Sequence, residues 1–276
     1  VAAIHDLSGF GRCSLSVILP TLSVMGVQVC PVPTTVFSTH TGGLGSVEQR
    51  DLSDFTLPCL EHYRRLGLEF ECVYSGFLSS QEQIDHCLKF FSTYQDALAV
   101  VDPVMGDGGQ IYATYTPELC EAMGSLVDGA DVLMPNLTEA SLLTDRAYPG
   151  QNISDAQVND IIDALLLRGA KNVVLKGIDR NDGKIRNYVA SAISGASGKQ
   201  ELAHDKLPFM THGTGDAFAS ALCGAVMAGR SLGESAYIAG EFVRHAMESP
   251  QYQPHHDERG VSFELNLGEL TGLVRR

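Results

Sequence analysis

The chain has 276 residues, 44% of them apolar, and 33 acidic against 19 basic side chains give a net charge of −14. That size suits one large α/β domain over 1–276, and an acidic surplus with no basic run argues against nucleic-acid or anionic-membrane partners. No stretch is long enough to span a bilayer, no basic leader opens the sequence, and seven scattered cysteines without Cys-x-x-Cys spacing read as reduced thiols of a cytoplasmic protein.

In chain order, the apolar spacing predicts a strand at 2–5, a helix near 13–25, a strand at 27–32 and a helix near 46–66. A strand at 72–75, a helix near 80–94, a strand at 99–102 and a helix near 116–127 follow. Next come a strand at 132–134, helices near 137–144 and 155–168, and a strand at 173–175. Segments 184–193 and 199–207 predict a hairpin joined across 194–198, with two helices near 215–228 and 232–248 after it. The tail 250–262, with His255-His256 and two prolines, reads as a surface loop. Strands alternating with helices predict a mostly parallel sheet covered on both faces.

Ligands of such sheets bind at the carboxyl ends of the strands, and polar clusters fall there. They are Asp6-Leu7-Ser8-Gly9, Ser38-Thr39-His40-Thr41-Gly42-Gly43, Ser75-Gly76-Phe77, Asp102 to Gly109, Pro135-Asn136-Leu137-Thr138-Glu139 and Lys176-Gly177. The most informative stretch is Thr211-His212-Gly213-Thr214-Gly215-Asp216, which runs into an apolar helix. Its glycines leave the amides of Gly213, Thr214 and Gly215 free to face an anion at a helix N-terminus. Asp216 beside that anion could take a proton from an attacking hydroxyl, or serve only as a helix cap.

Asp102, Asp107 and Glu139 offer oxygen ligands for Mg²⁺, with Asp102 or Glu139 nearest the metal through water. Asn136 and Glu139 also fit the N-cap and N3 of a capping arrangement, and the two roles can coexist at Asn136. Lys176, read as leaving its strand, could reach a nucleotide phosphate or extend to solvent. Gly9-Phe10-Gly11-Arg12-Cys13-Ser14 fails as a dinucleotide fingerprint, because Ser14 stands at the third glycine and no acid ends the next strand. No Gly-Lys-Ser/Thr occurs, so a Walker P-loop is absent.

Gly213-Thr214-Gly215-Asp216 resembles the signature of the ribokinase-like superfamily of small-molecule kinases. Asp102-Pro-Val-Met-Gly-Asp107, Pro135-Asn136-x-x-Glu139-Ala140 and Phe37-Ser38-x-His40-Thr41 look like its vitamin-kinase branch, which contains pyridoxal kinases and hydroxymethylpyrimidine kinases. The resemblance implies a three-layer α/β/α sandwich. The short passage from Asp6–Gly11 into a helix leaves no room for the β lid of the sugar kinases.

The resemblance also implies roles. Asp216 would be the general base, and Gly213, Thr214 and Gly215 the anion hole. Asn136 and Glu139 would order Mg²⁺ and the ATP phosphates with support from Asp102. Asp107 would belong to a flap. Asp6, Ser8 and Thr41 would touch the substrate ring, with Phe77 against its face. ATP and Mg²⁺ are the implied cofactors, with a monovalent cation as a further candidate, and a homodimer is the implied assembly. The Asp6-x-Ser8-Gly9-x-Gly11 pattern looks like hydroxymethylpyrimidine kinases, which often carry cysteine at the position of Asp216. Asp216 and Thr41 favour a kinase of pyridoxal, pyridoxamine or pyridoxine.

Overall fold

The computed structural model describes residues 1–193, 198–248 and 256–273. In chain order the elements begin β1 (Ala2–Phe10), α1 (Leu15–Val24), β2 (Cys30–Thr39), β3 (Gln49–Asp51), α2 (Ser53–Arg65), β4 (Cys72–Ser75), α3 (Gln81–Thr93) and β5 (Leu98–Val101). They continue β6 (Gly106–Asp107), β7 (Gln110–Ile111), α4 (Pro117–Met123), β8 (Val132–Leu133), α5 (Leu137–Leu143), α6 (Asp155–Leu167), β9 (Asn172–Asp179) and β10 (Lys184–Ser191). The last are β11 (Gln200–Asp205), α7 (Thr214–Met227), α8 (Leu232–Glu248), α9 (His256–Arg259) and α10 (Leu267–Leu270). These fall into two compact units, Val1–Leu52 with His204–Arg276, and Ser53–Ala203. Of the expected features, the joint at 194–197 and the tail at 250–255, including His255, lie outside the described residues.

In the first unit β1 pairs parallel with β2, Ile4 opposite Val32, and β2 pairs antiparallel with β3, Val36 opposite Arg50. β1 is longer than its apolar run, so Asp6 and Ser8 lie within the strand and not in a loop after it. β2 starts at Cys30, later than the expected strand at 27–32, and continues past Val32 through Pro33 to Thr39. The Cys30 amide donates to Val1 O at 2.8 Å, so amides at 31 and 33 would point away from β1, where proline forfeits no ladder bond. The predicted 46–66 helix loses its first part to β3. α7 packs closely on the end of α1: a Cβ at Gly224 would lie 2.3 Å from Met25 Sδ. The end of the expected tail loop is not on the surface, since Gly260, Val261 and Ser262 are buried.

In the second unit the strand order is β11-β10-β9-β8-β5-β4, with β11 reaching the unit's end. β4, β5, β8 and β9 run parallel, and β10 returns antiparallel to β9. All of β4 is buried, as expected of a parallel strand covered on both faces. Helix starts follow from capping chemistry: Ser80, Thr116 and Ser154 each accept a first-turn amide, and Pro117 opens α4. β9 runs to Asp179, so Lys176 sits inside a strand and not at its exit. The mostly parallel, helix-flanked sheet is the architecture that the resemblance implies. Among the described residues no helix is long and apolar enough to cross a membrane.

Candidate active site

In the first unit α7 begins at Gly213, which has φ +79 and caps the helix without any side-chain hydrogen bond. A Cβ there would lie 1.8 Å from Arg12 O, so only glycine fits. The first-turn amides of an α-helix have no carbonyl one turn earlier to receive them, so a terminus of this kind can face an anion. Asp216 is not the cap of its own helix. Its Oδ2 accepts the Ser14 amide at 2.8 Å, from the turn between β1 and α1.

Ser14 also donates its hydroxyl to Asp6 Oδ1, and Ser8 donates to Asp6 Oδ2 at 3.0 Å. Asp6, Ser8 and Asp216 therefore belong to one network centred on Ser14. Burial pushes the Asp6 carboxyl up, against the lowering effect of the two serine hydroxyls. Burial, with the nearby charges of Asp216 and Asp6, pushes the Cys13 thiol far up as well. Thr41 stands apart from this network in an exposed loop.

The N-terminal glycines serve chain packing. A Cβ at Gly9 would lie 2.9 Å from Ser38 O, and one at Gly11 would meet the His40 ring at 2.1 Å. His40 is buried, with Nδ1 accepting from the Gly42 amide at 3.1 Å and Nε2 lying 2.8 Å from Glu258 O. Those partners select the neutral tautomer with hydrogen on Nε2. Its ring lies 4.7 Å from that of His212, whose carbonyl accepts the Val261 amide at 2.9 Å. The turn before α7 is thus braced from the chain's C-terminal segment.

In the second unit Asn136 and Glu139 form a complete capping box at the start of α5. Asn136 Oδ1 accepts the Glu139 amide at 2.9 Å, and Glu139 Oε2 accepts the Asn136 amide at 2.7 Å. Glu139 Oε1 lies 3.4 Å from the Met105 amide. Lys176, drawn beside Asn136 by a parallel bridge, places Nζ 2.6 Å from Asp102 Oδ1. Desolvation pushes Asp102 up despite Lys176, and desolvation with the Asp102 charge pushes Glu139 up against the pull of Lys176. Two buried carboxylates thus share one ammonium. A hard cation that takes one or two carboxylates, such as Mg²⁺, fits that oxygen-donor set.

Asp107 lies on β6, whose hairpin to β7 turns through Gly108 and Gly109 at φ +58 and +81. Paired positive φ values are those of a two-residue hairpin turn, which glycine adopts without strain. Asn136 Nδ2 donates to Gly106 O at 2.8 Å and Thr138 Oγ1 accepts the Gly109 amide at 2.8 Å, so the hairpin is fastened to α5. Phe77 is buried edge-on against Tyr115, ring centroids 5.7 Å apart.

The residues to which the sequence assigned no role of their own are Ser14, His40, His212 and Thr138. For Ser14 the only signal was a serine where a fingerprint wants glycine.

The model of the phosphomethylpyrimidine kinase family matches residues 19–261. The structure superimposes on a Bacteroides thetaiotaomicron protein, provisionally described as a phosphomethylpyrimidine kinase and crystallised with pyridoxal. The TM-score is 0.91, with 32% identity over 98% of this chain and 94% of that one. Pyridoxal kinase from Lactobacillus plantarum gives a TM-score of 0.89 and 31% identity, covering 99% of this chain and 96% of that one. Among curated relatives, the hydroxymethylpyrimidine/phosphomethylpyrimidine kinase of Bacillus subtilis is 26% identical over 65% of this chain. The match spans 64% of that relative's length, less than two thirds.

Proposed function

The chain belongs to the phosphomethylpyrimidine kinase family, and we propose on that footing that it transfers the γ-phosphoryl group of ATP to the hydroxymethyl group of pyridoxal, pyridoxamine or pyridoxine. The observation that carries this reading is Asp216 at the first turn of α7, its carboxylate aimed by the Ser14 amide and preceded by the glycine-bounded terminus.

Asp216 takes the proton of the substrate hydroxyl as its oxygen bonds to phosphorus and the bond to the ADP oxygen breaks. The amides of Gly213, Thr214 and Gly215, with the helix dipole, balance charge on the transferring group. Asp102, Glu139 and Asn136 would hold Mg²⁺, and the metal would supply charge neutralisation at the phosphates. Lys176 compensates Asp102 and orders the same corner as a point charge toward phosphate. Asp107 rides on a hairpin covering the nucleotide phosphates. Asp6, Ser8, Thr41 and Phe77 are read as lining the ring-binding side.

The family match extends over most of both units, which supports reading 1–276 as a single kinase domain. The resemblance further suggests a homodimer. The acidic surplus and seven free cysteines support a cytoplasmic protein without nucleic-acid or membrane partners.

The relatives with over 30% identity include a pyridoxal kinase and a protein crystallised with pyridoxal, which supports the vitamin B6 substrate. The family's own name and the Bacillus subtilis relative support the second reading, hydroxymethylpyrimidine or its phosphate. The test is ATP consumption with the three B6 vitamers, hydroxymethylpyrimidine and hydroxymethylpyrimidine phosphate side by side. Preferred turnover of a B6 vitamer is expected. Preference for the pyrimidine establishes the second reading, and turnover of none overturns both.

A further inference from the structure

Ser14 holds a backbone conformation, φ +50 and ψ −136, that belongs to glycine. Residues in such regions persist where their surroundings over-determine them, and they cluster at functional sites. Here the surroundings are two carboxylates from different elements. The Ser14 hydroxyl is held by Asp6 of β1, itself buried and held on its other oxygen by Ser8. The Ser14 amide, turned by that conformation, donates to Asp216 of α7 at 2.8 Å.

We propose that Ser14 is a positioning residue for the base: Asp6 clamps its hydroxyl, the clamp sustains the unfavourable backbone conformation, and that conformation aims the amide at Asp216. The proposal rests on the reading of Asp216 as base and deepens it. It gives Asp6 a task distinct from contact with the substrate ring.

The consequence for the base is specific. An amide donating to a carboxylate favours its ionised form, the form that accepts a proton. Losing that donor raises the Asp216 pKa. Titratable groups beside this corner include Asp6 from β1 and Cys13 from the turn, whose thiol is pushed far up by burial and the nearby charges of Asp216 and Asp6. Arg12, also in the turn, spends its guanidinium on Glu264.

Alanine and glycine at position 14 separate this role from simpler ones. Ser14→Ala loses the hydroxyl and keeps the Cβ, so the residue relaxes and its amide leaves Asp216. Ser14→Gly also loses the hydroxyl, but glycine holds the same φ at no steric cost and the amide stays. A hydroxyl that touched substrate or filled space would make the two variants equal, or glycine the worse.

The experiment measures kcat and KM against pH for wild type, S14A, S14G, D6A and D6A/S14G, together with an NMR titration of the Asp216 carboxyl in the ligand-free proteins. Expected for S14A and D6A is a fall in kcat of about tenfold, the weight of one hydrogen bond to a charged group. Their acid limb should move to higher pH, with KM little changed in S14A, and the Asp216 titration should move with it. S14G should stay within a few-fold of wild type (about 2–3-fold) and should rescue the kcat of D6A. Equal losses in S14A and S14G, an Asp216 titration unmoved in S14A, or a D6A defect confined to KM and not rescued would overturn the proposal. If S14A does not fold, D6A against D6A/S14G makes the same comparison. The NMR titration needs no turnover, so a wild type that phosphorylates none of the compounds sinks the kinase reading while Asp216 still decides this one.

Discussion

Lys176 Nζ lies 2.6 Å from Asp102 Oδ1, an ion pair with side-chain exposures of only 10% and 1%. Removing one member of such a pair strands the other charge, whereas replacing both with neutral groups largely avoids that penalty. Lys176→Met should therefore cost about 3–5 kcal/mol in urea unfolding at neutral pH. The double variant with Asp102→Asn should recover most of that loss. A single variant within about 1 kcal/mol of wild type would mean that Asp102 finds another partner or takes up a proton at little cost.

Asp216→Asn keeps the shape of the side chain and an oxygen to accept the Ser14 amide, but it has no basic carboxylate. Turnover should fall by about 10²–10⁴-fold while ATP binding, followed by calorimetry, persists. Activity within a few-fold of wild type would remove Asp216 from the chemistry.

Gly213→Ala should be among the costliest substitutions in the first unit, because its Cβ would collide with the Arg12 carbonyl and the backbone must stay at φ +79. A stability loss of at least about 1–3 kcal/mol is expected from the backbone strain alone, with a matching loss of activity. A crystal grown with nucleotide or a phosphate-like ion should place an anion on the amides of residues 213–215. Phosphates found instead at Gly9–Gly11 would revive the dinucleotide fold of binding.

The Asp6 carboxyl gives a pH signature opposite to that of an ordinary surface acid. Burial holds its folded-state pKa above the ordinary 3.8, so the stability it contributes is complete below that value and is lost as pH rises through the folded pKa. Asp6→Asn cannot titrate. The stability of wild type minus that of Asp6→Asn should decline from about pH 4 upward, and taking the difference cancels the other carboxylates. A difference that is flat or grows with pH would show that the serine hydroxyls outweigh the burial.

A helix start was legible where its chemistry is local: Asn136 and Glu139 do at the start of α5 what their spacing announces, whereas the helix expected from 46 begins only at Ser53. Long strands were less so, since Asp6, Ser8 and Lys176 are polar residues inside β1 and β9 that only tertiary partners make tolerable there. The expected strand at 27–32 stopped short of Pro33, whereas β2 runs on to Thr39, because which side of a strand lacks a neighbour cannot be read from its residues. Gly213 and Asp216 stood out through their motif. Ser14 did not, since its part depends on a backbone angle, and a serine in a turn carries no mark of the sign of its φ.

The fastening of the β6–β7 hairpin to α5 sets how quickly it can lift. Its Gly109 amide cannot exchange with deuterium until the 2.8 Å bond to Thr138 Oγ1 opens, so that single proton is a clock for the hairpin. The clock is wound by its neighbours: a Cβ at Gly109 would strike the Tyr148 ring at 2.5 Å, and the Asn136 that caps α5 also holds Gly106. Whatever tightens the start of α5 therefore slows the hairpin. A ligand engaging Asn136 would be felt as a change of tempo at Gly109 before any displacement could be seen.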